Sequence, residues 1–191
     1  MIYRQGIIFL LLFFIINNCS YYSFKGSLPP GINSIAVVPI KNNTSQSMLS
    51  NNISNSFNEL LINENILDIS DLSTSDSKLE IVINSLSETP YLYSSEGDSF
   101  EKVEEIKLLV EISIKWLDMT NNEVIIEKKI SEWSTYNPFG LDMSSDSIDN
   151  DLDGLVDSED SDEYGPAQEG AMRIVSEKLS KRIINELTST W

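Results

Sequence analysis

The sequence predicts an α+β fold. Two helices pack on one mainly four-stranded sheet, in the order strand, helix, strands, helix, with a long antiparallel hairpin in the middle. Three observations carry this. Ile106, Leu108, Val110, Ile112, Ile114 and Trp116 are apolar at six consecutive even positions, while Glu105, Lys107, Glu111, Ser113 and Lys115 hold odd ones. Period two marks a strand with one dry and one wet face. Leu49, Ile53, Phe57, Leu60 and Leu61 instead recur at helical spacing, as do Ala171, Val175, Leu179, Ile183 and Leu187.

The elements follow in order. Residues 20–31 hold Tyr21, Tyr22, Phe24 and the pair Pro29–Pro30, which favours an extended tether. Residues 32–40 are short, apolar and β-branched, a buried strand ended near Pro39. Residues 48–61 form the first helix, which Ser45 or Ser47 can cap. Residues 63–77 are mostly polar, with room for a short strand at 66–69. Leu79, Ile81 and Ile83 alternate within a strand at 78–87. Pro90 and Gly97 place a loop at 88–100. The long strand occupies 103–117. A turn at 118–122 follows, where Asn tolerates left-handed backbone. The partner strand occupies 123–136, and its alternation slips before Trp133 and Tyr136, which suggests a bulge. Pro166 suits the first turn of a closing helix at 166–187.

Composition narrows the function. The 191 residues include 13 Lys+Arg, 30 Asp+Glu, no His and one Cys, for a net charge of −17. Without His there is no imidazole base and no His-bound metal. One Cys excludes intramolecular disulfides, zinc fingers and Cys-ligated clusters. The charge repels nucleic acid. No enzyme activity and no organic cofactor are expected.

The first residues read as an address. Arg4 precedes an unbroken apolar run at 7–16, and Cys19 stands just behind it. A cation, a run of about 7–15 apolar residues and a processing site make a secretory signal peptide. The run is shorter than the roughly 20 residues that span a bilayer. The Cys19 region resembles bacterial lipoproteins, whose cysteine carries diacylglycerol and whose new N-terminus is acylated. This divides the chain into a signal peptide at 1–18, the lipidated Cys19 and tether at 19–31, and one α+β domain at 32–191. Removing the leader with Arg4 takes the charge from −17 to −18.

Residues 137–165 form an acidic insert within that domain, with no Lys or Arg. Within it, 149–160 reads Asp-Asn-Asp-Leu-Asp-Gly-Leu-Val-Asp-Ser-Glu-Asp. Acids occupy positions 1, 3, 5, 9 and 12, glycine position 6 and valine position 8. This spacing resembles an EF-hand calcium loop and the calcium repeats of thrombospondin type 3. Ca²⁺ takes six to eight hard oxygens at about 2.3–2.6 Å, so the loop must wrap it. Asp149, Asp151, Asp153, Asp157 and Asp160 would offer carboxylates and Leu155 its carbonyl, with Gly154 allowing the sharp turn. Glu159, Asp162 or Glu163 could replace Asp160 at the closing position. A structural Ca²⁺ is expected, at the weak affinity of roughly 10⁻⁴–10⁻³ M usual for secreted modules.

Cys19, Tyr22-Ser-Phe24, Gly26-Ser-Leu-Pro-Pro-Gly-Ile32, Ile35-Ala-Val37, Pro39 and Asn43-Thr44 together resemble outer-membrane lipopolysaccharide-assembly lipoproteins of the LptE type. Glu132-Trp-Ser-Thr-Tyr136 is similar to that family's late strand. The resemblance implies a domain anchored in the periplasmic leaflet of the outer membrane, lodged in the lumen of an LptD-like β-barrel. There it would plug the barrel, support its assembly and help deliver lipopolysaccharide, itself a candidate ligand. No catalytic residue comes with the resemblance. Exposed Tyr91, Tyr93, Trp133 or Tyr136 would be natural interface anchors. The alternative is a periplasmic regulatory or secretion-associated lipoprotein with a similar small α/β domain.

Overall fold

The computed structural model describes residues 28–95, 101–140, 142–160 and 163–189. The leader, Cys19, Asp162 and Trp191 lie outside the described residues. The element order is β1 (Ser34–Val37), β2 (Lys41–Asn42), α1 (Met48–Glu64), β3 (Asp68–Ile69), β4 (Ser77–Ser95), β5 (Glu101–Asp118), β6 (Glu123–Tyr136) and α2 (Ala167–Thr188). Single 3₁₀ turns at Met143–Ser145 and Asp157–Glu159 lie in the insert.

The α+β class and the two helices agree with the sequence, but the sheet is larger. It has six strands, ordered β3-β1-β4-β5-β6, with β2 also paired to β4. β3, at Asp68–Ile69, is the short strand for which 66–69 left room, and β2 is an addition; each has two residues, too few to show any alternation. The first strand is also shorter than 32–40, ending at Val37 before Pro39. The pairs among β1, β2, β3 and β4 are parallel, and α1 makes the crossover between β2 and β3. The β4–β5 and β5–β6 pairs are antiparallel.

The 88–100 loop is corrected: β4 continues through Pro90 to Ser95. Proline removes a donor, which an edge tolerates. Beyond Ile83, where β2 ends its pairing, β4 has β5 as its only strand neighbour among the described residues. Register shifts at Ser85, Leu92 and Tyr93 absorb the irregularity. The bulge expected before Trp133 lies elsewhere. β6 pairs evenly from Ile126 to Tyr136, and the shift falls opposite Trp116 and Leu117, at Ile125. Trp133 breaks the apolar alternation because it lies on the open face of the sheet, not because the register slips.

Both helices cover one face. The even stripe of β5 is buried from Leu108 to Trp116. Leu49, Ile53, Phe57 and Leu61 of α1, and Ala171, Val175, Leu179, Ile183 and Leu187 of α2, meet it. Asn65 ends α1 in the left-handed conformation at φ 48°. The Ser47 side chain makes no capping bond; Asn42 instead binds the Gln46 carbonyl through Nδ2. Asn122 takes the left-handed backbone expected of the β5–β6 turn, at φ 55°.

The start of the sheet is clamped by Asp76. Its Oδ2 accepts the N–H of Asn33 at 3.0 Å, the N–H of Ser34 at 3.1 Å and the Ser34 hydroxyl at 2.9 Å. Its own carbonyl accepts the N–H of Met119. β1, β4 and the β5–β6 turn are thus joined at the end where the described chain begins. These donors, the Asn33 N–H foremost, hold the Asp76 carboxyl below its ordinary 3.8.

Three substitutions test this arrangement. Trp116→Ala, at a site with no exposure, should cost about 3–5 kcal/mol in urea unfolding. Val124→Ala, half-exposed, should stay within about 0.5 kcal/mol. For Asp76 the folded-state value is depressed, so its contribution is present above 3.8 and is lost as pH falls through the folded value. The gap in unfolding midpoint between the wild type and Asp76→Asn should therefore be widest near neutrality and close in strong acid.

Candidate functional site

Residues 142–160 and 163–165 fold back onto α2 and the end of β6. Met143 is fully buried, and it sits where a Cβ at Gly170 would fall, 1.9 Å from its Sδ. α2 thus carries glycine where Met143 presses on it. Asp142 Oδ1 accepts the N–H of Ser144 and of Gly165, closing the base of the insert. Asn150 pins its middle: the Asn150 carbonyl accepts the Thr135 N–H, and Asn150 Nδ2 donates to the Thr135 carbonyl at 2.9 Å. Asn150 thereby pairs with β6 as one residue of a further strand would. Lys178 donates to the carbonyls of Asp151 and Trp133.

The loop spacing is expressed as a folded turn. Asp149 accepts the N–H of Asp153 and of Gly154, and Asp153 accepts the N–H of Leu155. Gly154 holds φ 98°, where a side chain would strain. Carboxylate oxygens of Asp149, Asp151 and Asp153 come within 4.8 Å of one another on the outer side. A second group joins Asp151 to Asp160 and Glu163, also within 4.8 Å and further inside. Asp157 belongs to neither group; its Oδ1 accepts the N–H of Ser147. Leu155 is exposed. Glu163, outside the twelve-residue pattern, is 1% exposed, and its two oxygens accept the N–H of Asn150 and Asp157. The sequence named Glu163 only as one of three substitutes for Asp160 at the closing position, and nothing in the spacing marked it as buried.

The electrostatics follow from burial. Glu163 is pushed up to about 7, chiefly by desolvation, against the two N–H groups it accepts. Desolvation also raises Asp151, with the charge of Asp153 next, and raises Asp146. Burial lowers Lys178. The donor set is all hard oxygen, which suits Ca²⁺ and not a soft metal. Asn150, with no exposure, has an Oδ1 without any hydrogen-bond donor.

The four candidate aromatic anchors divide. Tyr91 and Tyr93 are 50% and 51% exposed, and Trp133 is part-buried. Tyr136 is 6% exposed and belongs to the core, which corrects its place among them. Its hydroxyl bonds Glu88, and burial pushes it up to about 12. Tyr91 and Trp133 lie 5.6 Å apart by ring centroids, with the Lys107 ammonium 4.0 Å from the Trp133 centroid. Gln168 at the start of α2 also bonds Glu88, and beyond it Thr89, Pro90, Tyr91, Leu92 and Tyr93 are all exposed. The β4–β5 hairpin therefore extends past the start of α2, and Tyr91, Leu92 and Tyr93 lie on that extension.

No family model matches the chain, and no curated protein matches it. Similar folds occur among solved structures. Lipoprotein B from Nitrosomonas europaea matches with a TM-score of 0.50 at 11% identity, over 84% of this chain and 84% of that one. A hypothetical protein from Chlamydia trachomatis matches at 0.51 and 11% identity, over 82% of this chain and 96% of that one. A minor lipoprotein from Acinetobacter baumannii scores 0.43 at 10% identity, over 81% and 92%. At such identities the likeness is one of fold.

The packing of Met143 against Gly170 can be measured. Gly170→Ala should cost about 1–3 kcal/mol by overpacking and raise amide exchange through the insert. The double variant Gly170→Ala with Met143→Ala should be less unstable than the sum of the single changes, because the two share one space.

Proposed function

We propose that this chain is a lipid-anchored outer-membrane lipoprotein that plugs an LptD-type lipopolysaccharide translocon barrel and supports its assembly. The anchor is Cys19, and the domain lies on the periplasmic side. The observation that carries the reading is the lone cysteine directly behind the apolar run at 7–16, in front of a domain whose fold resembles that of a bacterial lipoprotein. Two acyl groups on such a cysteine suffice for stable anchoring where one gives marginal binding.

The layout of the domain supports a role at one end. The described chain begins at Leu28, beside the Asp76 clamp, nine residues after Cys19. A tether of that length reaches at most about 30 Å. β4 then runs 19 residues away from the clamp, about 60 Å, to the end of that extension. Tyr91, Leu92 and Tyr93 thus stand toward the end of β4 away from the clamp. Half-exposed aromatics on a rigid hairpin are the material of interface anchors. The insert meets β6 at Thr135, near that same end, and on this reading takes one structural Ca²⁺.

Recovery of the tagged full chain from outer membranes in mild detergent tests the proposal. A large barrel should come down in near one-to-one amount, and the Tyr91→Ala, Tyr93→Ala double variant should lower its recovery about tenfold or more. Cys19→Ala should abolish acylation, seen by intact mass, and release the chain from membranes. A folded, acylated chain that brings down no barrel would sink the translocon reading and favour the regulatory or secretion-associated lipoprotein.

A further inference from the structure

The outer edge of β6 is the one long, regular sheet edge left open among the described residues. β2 and β3 are two residues long. β4 beyond Ile83 carries Pro90 and several register shifts, devices that blunt an edge against a new strand. From Ile126 to Tyr136, by contrast, β6 pairs with β5 without a shift and contains neither proline nor glycine.

Thr135 fixes which backbone groups point outward. Its N–H and its carbonyl both go to Asn150, away from β5. Along an antiparallel ladder, residues bonded to one neighbour alternate with residues whose groups face the other side. Trp133, Ser131, Lys129 and Glu127 therefore turn their backbone groups outward together with Thr135. The Trp133 carbonyl accepts the Lys178 ammonium, as this requires. Among the described residues the outward groups of Ser131, Lys129 and Glu127 meet no backbone partner, and all three residues are exposed. Asn150 fills the first rung of an added strand, and the rungs beyond Trp133 are open.

Backbone and charge together select the occupant. Alternating donors and acceptors at strand spacing match another extended polypeptide, not a lipid or a sugar. The side chains along the edge are basic. Lys128 and Arg182 both bond Glu186 across the seam between β6 and α2, Lys178 stands at Trp133, and the Lys129 side chain is 71% exposed. Four of the chain's 13 Lys+Arg thus line one strand edge of an acidic protein. A second copy would bring a net charge of −17 against its own. A short acidic strand meets these cations at contact, well inside the screening length of about 8 Å at physiological salt.

Resting on the reading of this chain as the plug of an outer-membrane barrel, we propose that the β6 edge at Glu127, Lys129 and Ser131 binds an extended acidic segment of the barrel protein as an added strand. Backbone bonds hold the segment, and Lys128 and Lys129 select for acid. Asn150, seated on Thr135, sets where the added strand stops.

A photo-cross-linking amino acid in place of Ser131, carried by the tagged full chain in outer membranes, reads the contact directly. It should join the chain to the barrel protein at an acid-bearing segment, located by mass spectrometry. The same probe in place of Ile62, 66% exposed on α1, should not. Ser131→Pro removes an outward N–H and leaves the ladder to β5 whole, so it should lower barrel recovery about tenfold or more while the unfolding midpoint stays nearly unchanged. Should that variant fail to fold, Lys129→Glu, which touches no backbone bond, should still lower recovery, and Lys129→Arg should retain it. Full recovery by Ser131→Pro with no product from position 131 would overturn the strand addition and leave the translocon reading standing. A product joining two copies of this chain would overturn the choice of occupant. A folded, acylated wild type that recovers no barrel would remove the translocon reading and this inference with it.

Discussion

The sheet depends on the even stripe of β5. One strand carries Leu108, Val110, Ile112, Ile114 and Trp116 on a single face, all buried, and pairs along most of its length with β4 on one side and β6 on the other. Period two leaves no choice of register, since a slip of one residue would exchange the dry face for Lys107, Glu111 and Lys115. Both helices must then lie on the same side. The opposite face closes with charge: Lys78 with Glu80, Lys115 with Glu127 and Lys129 with Glu111. Such exposed pairs add little stability each, but they keep the uncovered face wet. Toward the far end Tyr91, Lys107 and Trp133 pack together on this face instead.

The insert is attached through features that local polarity would not suggest. A stretch this acidic is the composition of a disordered segment. Here it is tied by one buried methionine over a glycine, one asparagine on a strand edge and one buried glutamate accepting two backbone N–H groups. Each of these tethers sits at a different point along the insert. Those points distribute the attachment over α2 and β6, so that no single acid carries it.

How much was legible in the sequence follows from how each signal is encoded. The helices and β5 were legible because burial repeats within them; Leu49, Ile53 and Phe57 need no distant partner to be recognised. The short strand at 66–69 was legible as the possibility that became β3 at Asp68–Ile69, but β2 was not, because a two-residue strand exists only through its neighbour in β4. Pro90 was misleading for a related reason: it reads as a breaker unless the missing strand partner on the outer side of β4 is known. Trp133 was read as a slip in register because an aromatic on the open face mimics a displaced core residue. In the insert, the loop geometry around Gly154 was legible as spacing. Glu163 and Asn150 were less so, since their burial depends on Met143, Thr135 and α2 meeting at one place.

The charge of the molecule acquires a meaning from this arrangement. The insert concentrates acids with no Lys or Arg, and it is fastened at Thr135, near the end where the hairpin extends past α2. On the proposed reading, this end approaches its partner while the opposite end is held at the membrane. A partner in contact with anionic lipopolysaccharide would meet an acidic surface beside an aromatic tip. Screening weakens such repulsion beyond about 8 Å at physiological salt, yet not at contact distance. On the same reading a divalent ion within the insert offsets two of these charges, while Asn150 holds the insert to β6 through Thr135.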